Sequence, residues 1–140
     1  MITEFTGEYR FLSNFYQSYI FYKGRKFSSV EHAYQSEKSN DKEWKDLCAS
    51  PILSPGKIKL LSQSIELIPR WEFIKVSIME ELLKIKFSDA PMKRLLLKTG
   101  NEYLREGNTW GDTFWGYDTQ LNQGENILGE LLMEIRESLK

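Results

Sequence analysis

A chain of 140 residues with 41% hydrophobic and 28% charged side chains is long enough to bury a core without staples and too apolar for intrinsic disorder. A formal net charge of −1 excludes a whole-molecule basic field for nucleic acid, while leaving room for a local basic patch. A single cysteine and a single histidine exclude an intrachain disulfide and the two-histidine metal motifs.

In chain order, the opening MITEFTGEYRF lacks an apolar core segment, so no leader is expected. No run approaches the ~20 apolar residues of a membrane helix, and a reducing, cytoplasmic setting without membrane contact is the expectation. YRFLSNFYQSYIFYKGRKF is aromatic and β-prone, and SYIFY and RKF flank Lys23-Gly24, which suits a tight hairpin turn. The pattern then turns helical. Ser28 with Glu31 three residues later fits a capping box before Val30, Ala33 and Tyr34. Asn40 with Glu43 fits a second, carrying Trp44, Leu47 and Cys48.

Ser54 and Pro55 read as N-cap and first helical residue. PRWEFIKVSIMEELLKIKF carries Trp71, Ile74, Ile78, Leu82 and Ile85 at three- and four-residue steps. That gives a core-facing stripe, with Lys75, Glu81 and Lys84 on the wet side. Asp89 precedes a short helix through Leu95 and Leu96 that stops at Gly100. Residues 102–126 show little helical period, and an aromatic-rich loop of that length is a functional candidate. The last helix carries Ile127, Leu128, Leu131, Leu132 and Ile135. With no repeat or linker, the expectation is one domain over residues 1–140, α+β in class: compact, mainly helical, with a small β-hairpin or sheet element.

No phosphate-binding loop, dinucleotide fingerprint or Gly-x-Ser-x-Gly elbow occurs. The remaining inventory of carboxylates, lysines, amides and aromatics suits chemistry at a sugar carbon. Glu31, Gln35 and Lys38 lie at i, i+4 and i+7 and share a helix face, with Tyr34 beside Lys38. A ribose over that face meets a carboxylate at one end and an amine at the other. Each residue also has an ordinary role open to it: Glu31 as a cap, His32 as core or surface, Lys38 as a solvated lysine.

The blocks RFLSNFY, SVEHAYQ…K, the W…K…M…L..KF helix, FWG and GEN.LGELLMEIR occur in an order that resembles the NADAR (YbiA-like) family over nearly the whole chain. The resemblance implies a YbiA-like fold and N-glycosidase activity. Some members of such families cleave phosphorylated riboflavin-biosynthesis intermediates, and others remove ADP-ribose from guanine in nucleic acid. The family's Gly-Arg pair after GKIK is absent here, where Ser62 and Gln63 stand. A phosphate-binding role for that arginine would pass to Arg70, Arg10, Arg25 or Lys57, or the substrate differs.

On that resemblance, Glu31 and Asp112 are the carboxylates expected to flank the sugar, one protonating the departing base and one serving as base or nucleophile. Lys38 is expected either to capture an opened ribose as a Schiff base or to act electrostatically. Arg10, Asn14, Phe15, His32, Tyr34, Gln35, Trp110, Trp115, Gly116 and Asn126 are the substrate-binding candidates. Trp71 reads mainly as core, which leaves Trp110 and Trp115 to stack on a base. Neither a metal nor a cofactor is implied. The partner is a nucleotide sugar, ADP-ribosyl or phosphoribosyl, with a single-stranded or flipped base as its nucleic-acid form. ADP-ribosylated guanine is the favoured substrate, for a chain of stand-alone length, and the riboflavin intermediates are the rival. A non-enzymatic ADP-ribose or nucleotide-binding module, or an aromatic protein interface, is the alternative of another class.

Overall fold

The computed structural model describes residues 1–140 and contains six α-helices, two short 3-10 helices, an antiparallel strand pair and a parallel strand pair. Contacts divide the chain into two compact units, Met1–Ser13 with Phe87–Lys140, and Asn14–Lys86. No helix is long and apolar enough to cross a membrane.

In the unit Asn14–Lys86, strands β1 (Ile20–Tyr22) and β2 (Arg25–Phe27) form the expected hairpin. Lys23 and Gly24 both hold positive φ, at 49° and 81°, as a two-residue turn between right-twisted strands requires. The β-prone reading of the preceding segment fails over its first four residues, 9–12, which lie in a 3-10 helix, Gly7–Leu12, of the other unit. Aromatic residues favour strands only where a pleated neighbour receives them.

Helix α1 (Val30–Ser36) is buried at all seven positions. Its cap is Ser29, whose hydroxyl accepts the His32 N–H at 3.2 Å, so the expected Ser28–Glu31 capping box does not form. Helix α2 (Lys42–Cys48) is likewise capped one residue later than expected, by Asp41 rather than Asn40. It buries Trp44 and Cys48 and leaves Leu47 exposed. The α1 carbonyl end is closed by α2, where Trp44 Nε1 donates to Gln35 O at 2.8 Å and Lys45 Nζ to Ser36 O at 2.9 Å.

Helix α3 (Pro55–Leu61) starts as expected, with Ser54 accepting the Lys57 N–H and Pro55 in the first turn. Helix α4 (Trp71–Lys86) buries Trp71, Met79, Leu82, Leu83 and Lys86, so its inner face is rotated from the expected stripe, and Ile74, Ile78 and Ile85 are half-buried. Lys75, expected on the wet side, is largely covered and pairs with Glu72 at 2.6 Å. Helix α1 packs on α2, α3, α4 and the hairpin, which makes it the centre of its unit.

In the other unit, α5 (Ala90–Lys98) is capped by Asp89, buries Met92 and Leu96, and ends at Gly100 with φ +64°. Helix α6 (Ile127–Ser138) buries Leu128, Leu131, Leu132 and Ile135. Between them, β3 (Gly107–Asn108) pairs in parallel with β4 (Tyr117–Asp118). Side chains shape the rest of that loop: Asp118 accepts the Gly111, Gln120 and Leu121 N–H groups at 2.7–2.8 Å, and these bonds hold its carboxyl below the usual range.

Candidate active site

The first two turns of α1 carry a carboxylate that caps nothing. Glu31 is 7% exposed, and its Oε2 accepts a hydrogen bond of 2.6 Å from Gln35 Nε2 one turn along. The Glu31 N–H donates to Asn14 O at 3.0 Å, so the turn before the hairpin is tied to the helix at this residue. Burial pushes the Glu31 carboxyl pKa up. The Gln35 bond and the positive charges of Lys59 and Lys38 pull in the opposite direction without cancelling it.

Lys38 lies just beyond α1, half-buried, with its ammonium 5.6 Å from the Tyr34 ring centre and 5.9 Å from that of Trp71. The two rings are themselves in contact, 5.2 Å apart and tilted. Burial pushes the Lys38 pKa down; the charges of Lys59 and Lys75 push the same way, and Glu31 and Glu72 oppose them. The result is an acid biased toward its neutral form beside an amine biased toward its own. That is the state in which a carboxyl donates a proton and an amine attacks carbon.

The family model of the NADAR domain matches residues 3–140. The chain belongs to the NADAR family. N-glycosidase YbiA of Escherichia coli (strain K12) is 33% identical over 138 residues, which cover 96% of this chain and 84% of that protein. The NMR structure of E. coli YbiA superposes with a TM-score of 0.85 at 31% identity, covering 99% of this chain and 84% of that one. Riboflavin biosynthesis protein VVA0006 of Vibrio vulnificus is 33% identical over 133 residues, which cover 93% of this chain but only 35% of that longer protein. Membership makes this NADAR chain an N-glycosidase, a hydrolase acting on N-glycosyl bonds, with the expected YbiA-like α+β fold.

Of the residues singled out in the sequence, Asn14, Phe15, Glu31, His32, Tyr34, Gln35 and Lys38 fall in the unit Asn14–Lys86. Asn14 is buried, with its Nδ2 on Met79 Sδ at 3.4 Å, and Phe15 is exposed with the Lys59 ammonium 5.8 Å from its ring. His32 spends both ring nitrogens on the protein, Nδ1 with Ser29 Oγ at 2.7 Å and Nε2 with Leu53 O at 2.8 Å, so its ring ties α1 to the segment before α3.

Arg10, Trp110, Asp112, Trp115, Gly116 and Asn126 fall in the other unit. Arg10 is exposed on the 3-10 helix, and Trp110 is 68% exposed. Asp112 Oδ1 accepts the Phe114 and Trp115 N–H groups, at 3.2 and 3.0 Å, and Trp115 meets Phe114 edge-on. Gly116 is closely approached: a Cβ there would lie 2.6 Å from Glu106 O. Asn126, left-handed at φ 54°, accepts from Glu106 N and donates to Leu104 O and Tyr103 Oη, which orders the entry to α6.

Lys59 was not among the residues singled out, yet its charge acts on both Glu31 and Lys38. Of the suggested replacements for the family arginine, Arg25 is engaged with Asp46 at 3.0 Å. Arg70 is exposed near the Phe73 ring, and Lys57 is exposed in the first turn of α3.

Proposed function

We propose that this N-glycosidase cleaves the bond between a ribosyl anomeric carbon and a base nitrogen, with ADP-ribosylated guanine in nucleic acid as its substrate. The observation that carries the chemistry is the buried Glu31 carboxyl beside the partly desolvated Lys38 amine.

Glu31, whose pKa burial raises, gives its proton to the departing base nitrogen as the bond to C1 of the ribosyl group breaks. Positive charge then develops on C1 and the ring oxygen. The water that adds to C1 yields its proton to the Glu31 carboxylate left by the first step. Lys38 offers a covalent route to the same products. Its neutral nitrogen bonds to C1 and the base leaves with the Glu31 proton. The C1–ring oxygen bond then opens as the lysine nitrogen loses a proton to that oxygen, giving an imine. Water hydrolyses the imine to free sugar and amine.

Chromatography of nucleoside and ADP-ribose after incubation with ADP-ribosyl-guanosine, with and without borohydride, tests both statements. The expected result is release of guanosine and ADP-ribose, lost in Lys38→Ala, and a reduced sugar adduct on Lys38 seen by mass spectrometry. Guanosine release by Lys38→Ala at the wild-type rate removes Lys38 from the chemistry. The Vibrio relative's name favours a second reading, phosphoribosyl intermediates of riboflavin biosynthesis, cleaved by the same groups. Release of base from those intermediates without release of guanosine from ADP-ribosyl-guanosine decides for it.

A further inference from the structure

Two residues hydrogen-bonded to Glu31 each carry a buried acceptor with no hydrogen-bond partner: the side-chain oxygens of Asn14 (Oδ1) and Gln35 (Oε1). Both residues are more than nine-tenths buried, and a buried carbonyl oxygen left unpaired is costly enough to call for an explanation. Each amide nitrogen is already committed. Gln35 Nε2 donates to Glu31 Oε2 at 2.6 Å, and Asn14 Nδ2 faces Met79 Sδ at 3.4 Å, a sulfur that can only accept. The two amides are therefore fixed with their oxygens outstanding. They are also tied to one turn of helix, because the Asn14 backbone oxygen holds the Glu31 N–H.

The missing partners must be hydrogen donors. An ammonium or guanidinium group is disfavoured, since the positive charges of Lys38 and Lys59 already act on Glu31 here. Neutral hydroxyls fit, and acceptors on two residues bonded to Glu31 match two neighbouring hydroxyls on a sugar ring.

We propose that Asn14 Oδ1 and Gln35 Oε1 accept the 2- and 3-hydroxyls of the ribosyl ring, so that the site reads a vicinal diol and rejects 2-deoxyribosyl groups. This rests on the ribosyl reading above and sharpens it: the N-glycosyl bonds of DNA itself lack the 2-hydroxyl and are spared. A site built to hydrogen-bond a hydroxyl discriminates strongly against the analogue without it, because its own buried acceptor is then left unpaired.

The test is calorimetric titration of the intact protein with ribose 5-phosphate and 2-deoxyribose 5-phosphate. Wild type is expected to bind the ribo sugar at least about tenfold more tightly. The near-isosteric Gln35→Met and Asn14→Leu variants, checked for folding by circular dichroism, are each expected to lose most of that ratio. Equal affinity of wild type for the two sugars, or no binding of either at millimolar concentration, overturns the proposal, and this outcome needs no variant to fold. Failure of the parent reading is separable. Ribo-selective binding with no base release from any N-ribosyl substrate would overturn the glycosidase assignment of this pocket and leave the diol reader standing. Base release with equal affinity for both sugars would do the reverse.

Discussion

Gly129 sits in the first turn of α6, where Gly→Ala ordinarily stabilises a helix by about 1 kcal/mol. Here the sign should reverse. A Cβ built on Gly129 lies 2.1 Å from Leu104 O and 2.4 and 2.6 Å from the Asn126 amide nitrogen and oxygen. The first neighbour is backbone and the other two belong to a side chain held by three hydrogen bonds, so none is a flexible end that swings aside. The methyl would sit on the 2.9 Å bond from Asn126 Nδ2 to Leu104 O. Breaking that bond leaves a buried carbonyl unsatisfied at about 1–3 kcal/mol, and forcing the backbone apart adds about 1–3 kcal/mol of overpacking. Set against the helix gain, Gly129→Ala should lose roughly 3 kcal/mol. In a domain of this size that is roughly 9 °C in Tm. Urea unfolding and calorimetry measure it, with Gly100→Ala as control: its φ is +64° but open space surrounds the position, so it should pay only a smaller backbone strain. In the double variant with Asn126→Ala, the cost should be less than additive, because the side chain in the way is gone. A Gly129→Ala protein as stable as wild type refutes the close approach of α6 to Leu104.

Glu31→Gln should abolish turnover yet stabilise the fold at neutral pH. The folded Glu31 carboxyl titrates above its ordinary value of 4.5, so its favourable contribution is complete below that value and is lost as pH rises through the folded pKa. The advantage of the Gln variant in thermal melts should therefore grow with pH from about 4.5 upward, and a constant offset contradicts it. Removing the cations that depress Lys38 should raise its pKa: Lys59→Gln and Lys75→Gln move the acidic limb of the kcat/KM profile to higher pH, and Glu72→Gln moves it lower. A limb that stays fixed in all three separates Lys38 from the rate. Lys86 is fully buried, and burial lowers its pKa to about 7. The unfolded chain then binds the extra proton between about 7 and the ordinary value of 10.5, so the lysine's penalty fades across that window as pH rises. Lys86→Met should stabilise most at pH 6 and least near pH 10, and a gain that does not shrink argues against a neutral lysine.

The local grammar of helix ends was legible where one residue carried the whole signal. Ser54 before Pro55, and Asp89 before a short helix ending at Gly100, cap as read. At Ser28 the capping-box rule chose the serine that put Glu31 three residues on. The structure takes Ser29, because its hydroxyl serves both the His32 N–H and the His32 ring. Glu31 is thereby released from capping and turned inward to Gln35. The inner face of α4 was read from Trp71, Ile74, Ile78, Leu82 and Ile85. The fold buries Trp71 and Leu82 of these and adds Met79, Leu83 and Lys86, and a burial choice that includes a lysine has no hydrophobic pattern to announce it. Lys59 escaped notice for a different reason. It reaches the site through the packing of α3 on α1, and sequence spacing shows neighbours on one helix, not neighbours between two.

A seven-residue helix is too short to persist alone in water, so α1 must be held by what surrounds it. Its start is held by Ser29, the His32 ring by Leu53 O, and its end by Trp44 and Lys45. None of those ties uses the Glu31 carboxyl, and none uses the Gln35 side-chain oxygen. Stability alone would place apolar residues at both positions, because each buries polar atoms at a cost that its contacts do not fully offset. Within the unit Asn14–Lys86 the buried side-chain oxygens without a partner are those of Gln35 and its neighbour Asn14, while the ties around them keep the helix in place. A local defect inside a well-supported frame is what the proposed reaction asks of Glu31: the carboxyl is buried and held 2.6 Å from the Gln35 amide, its frame complete without it.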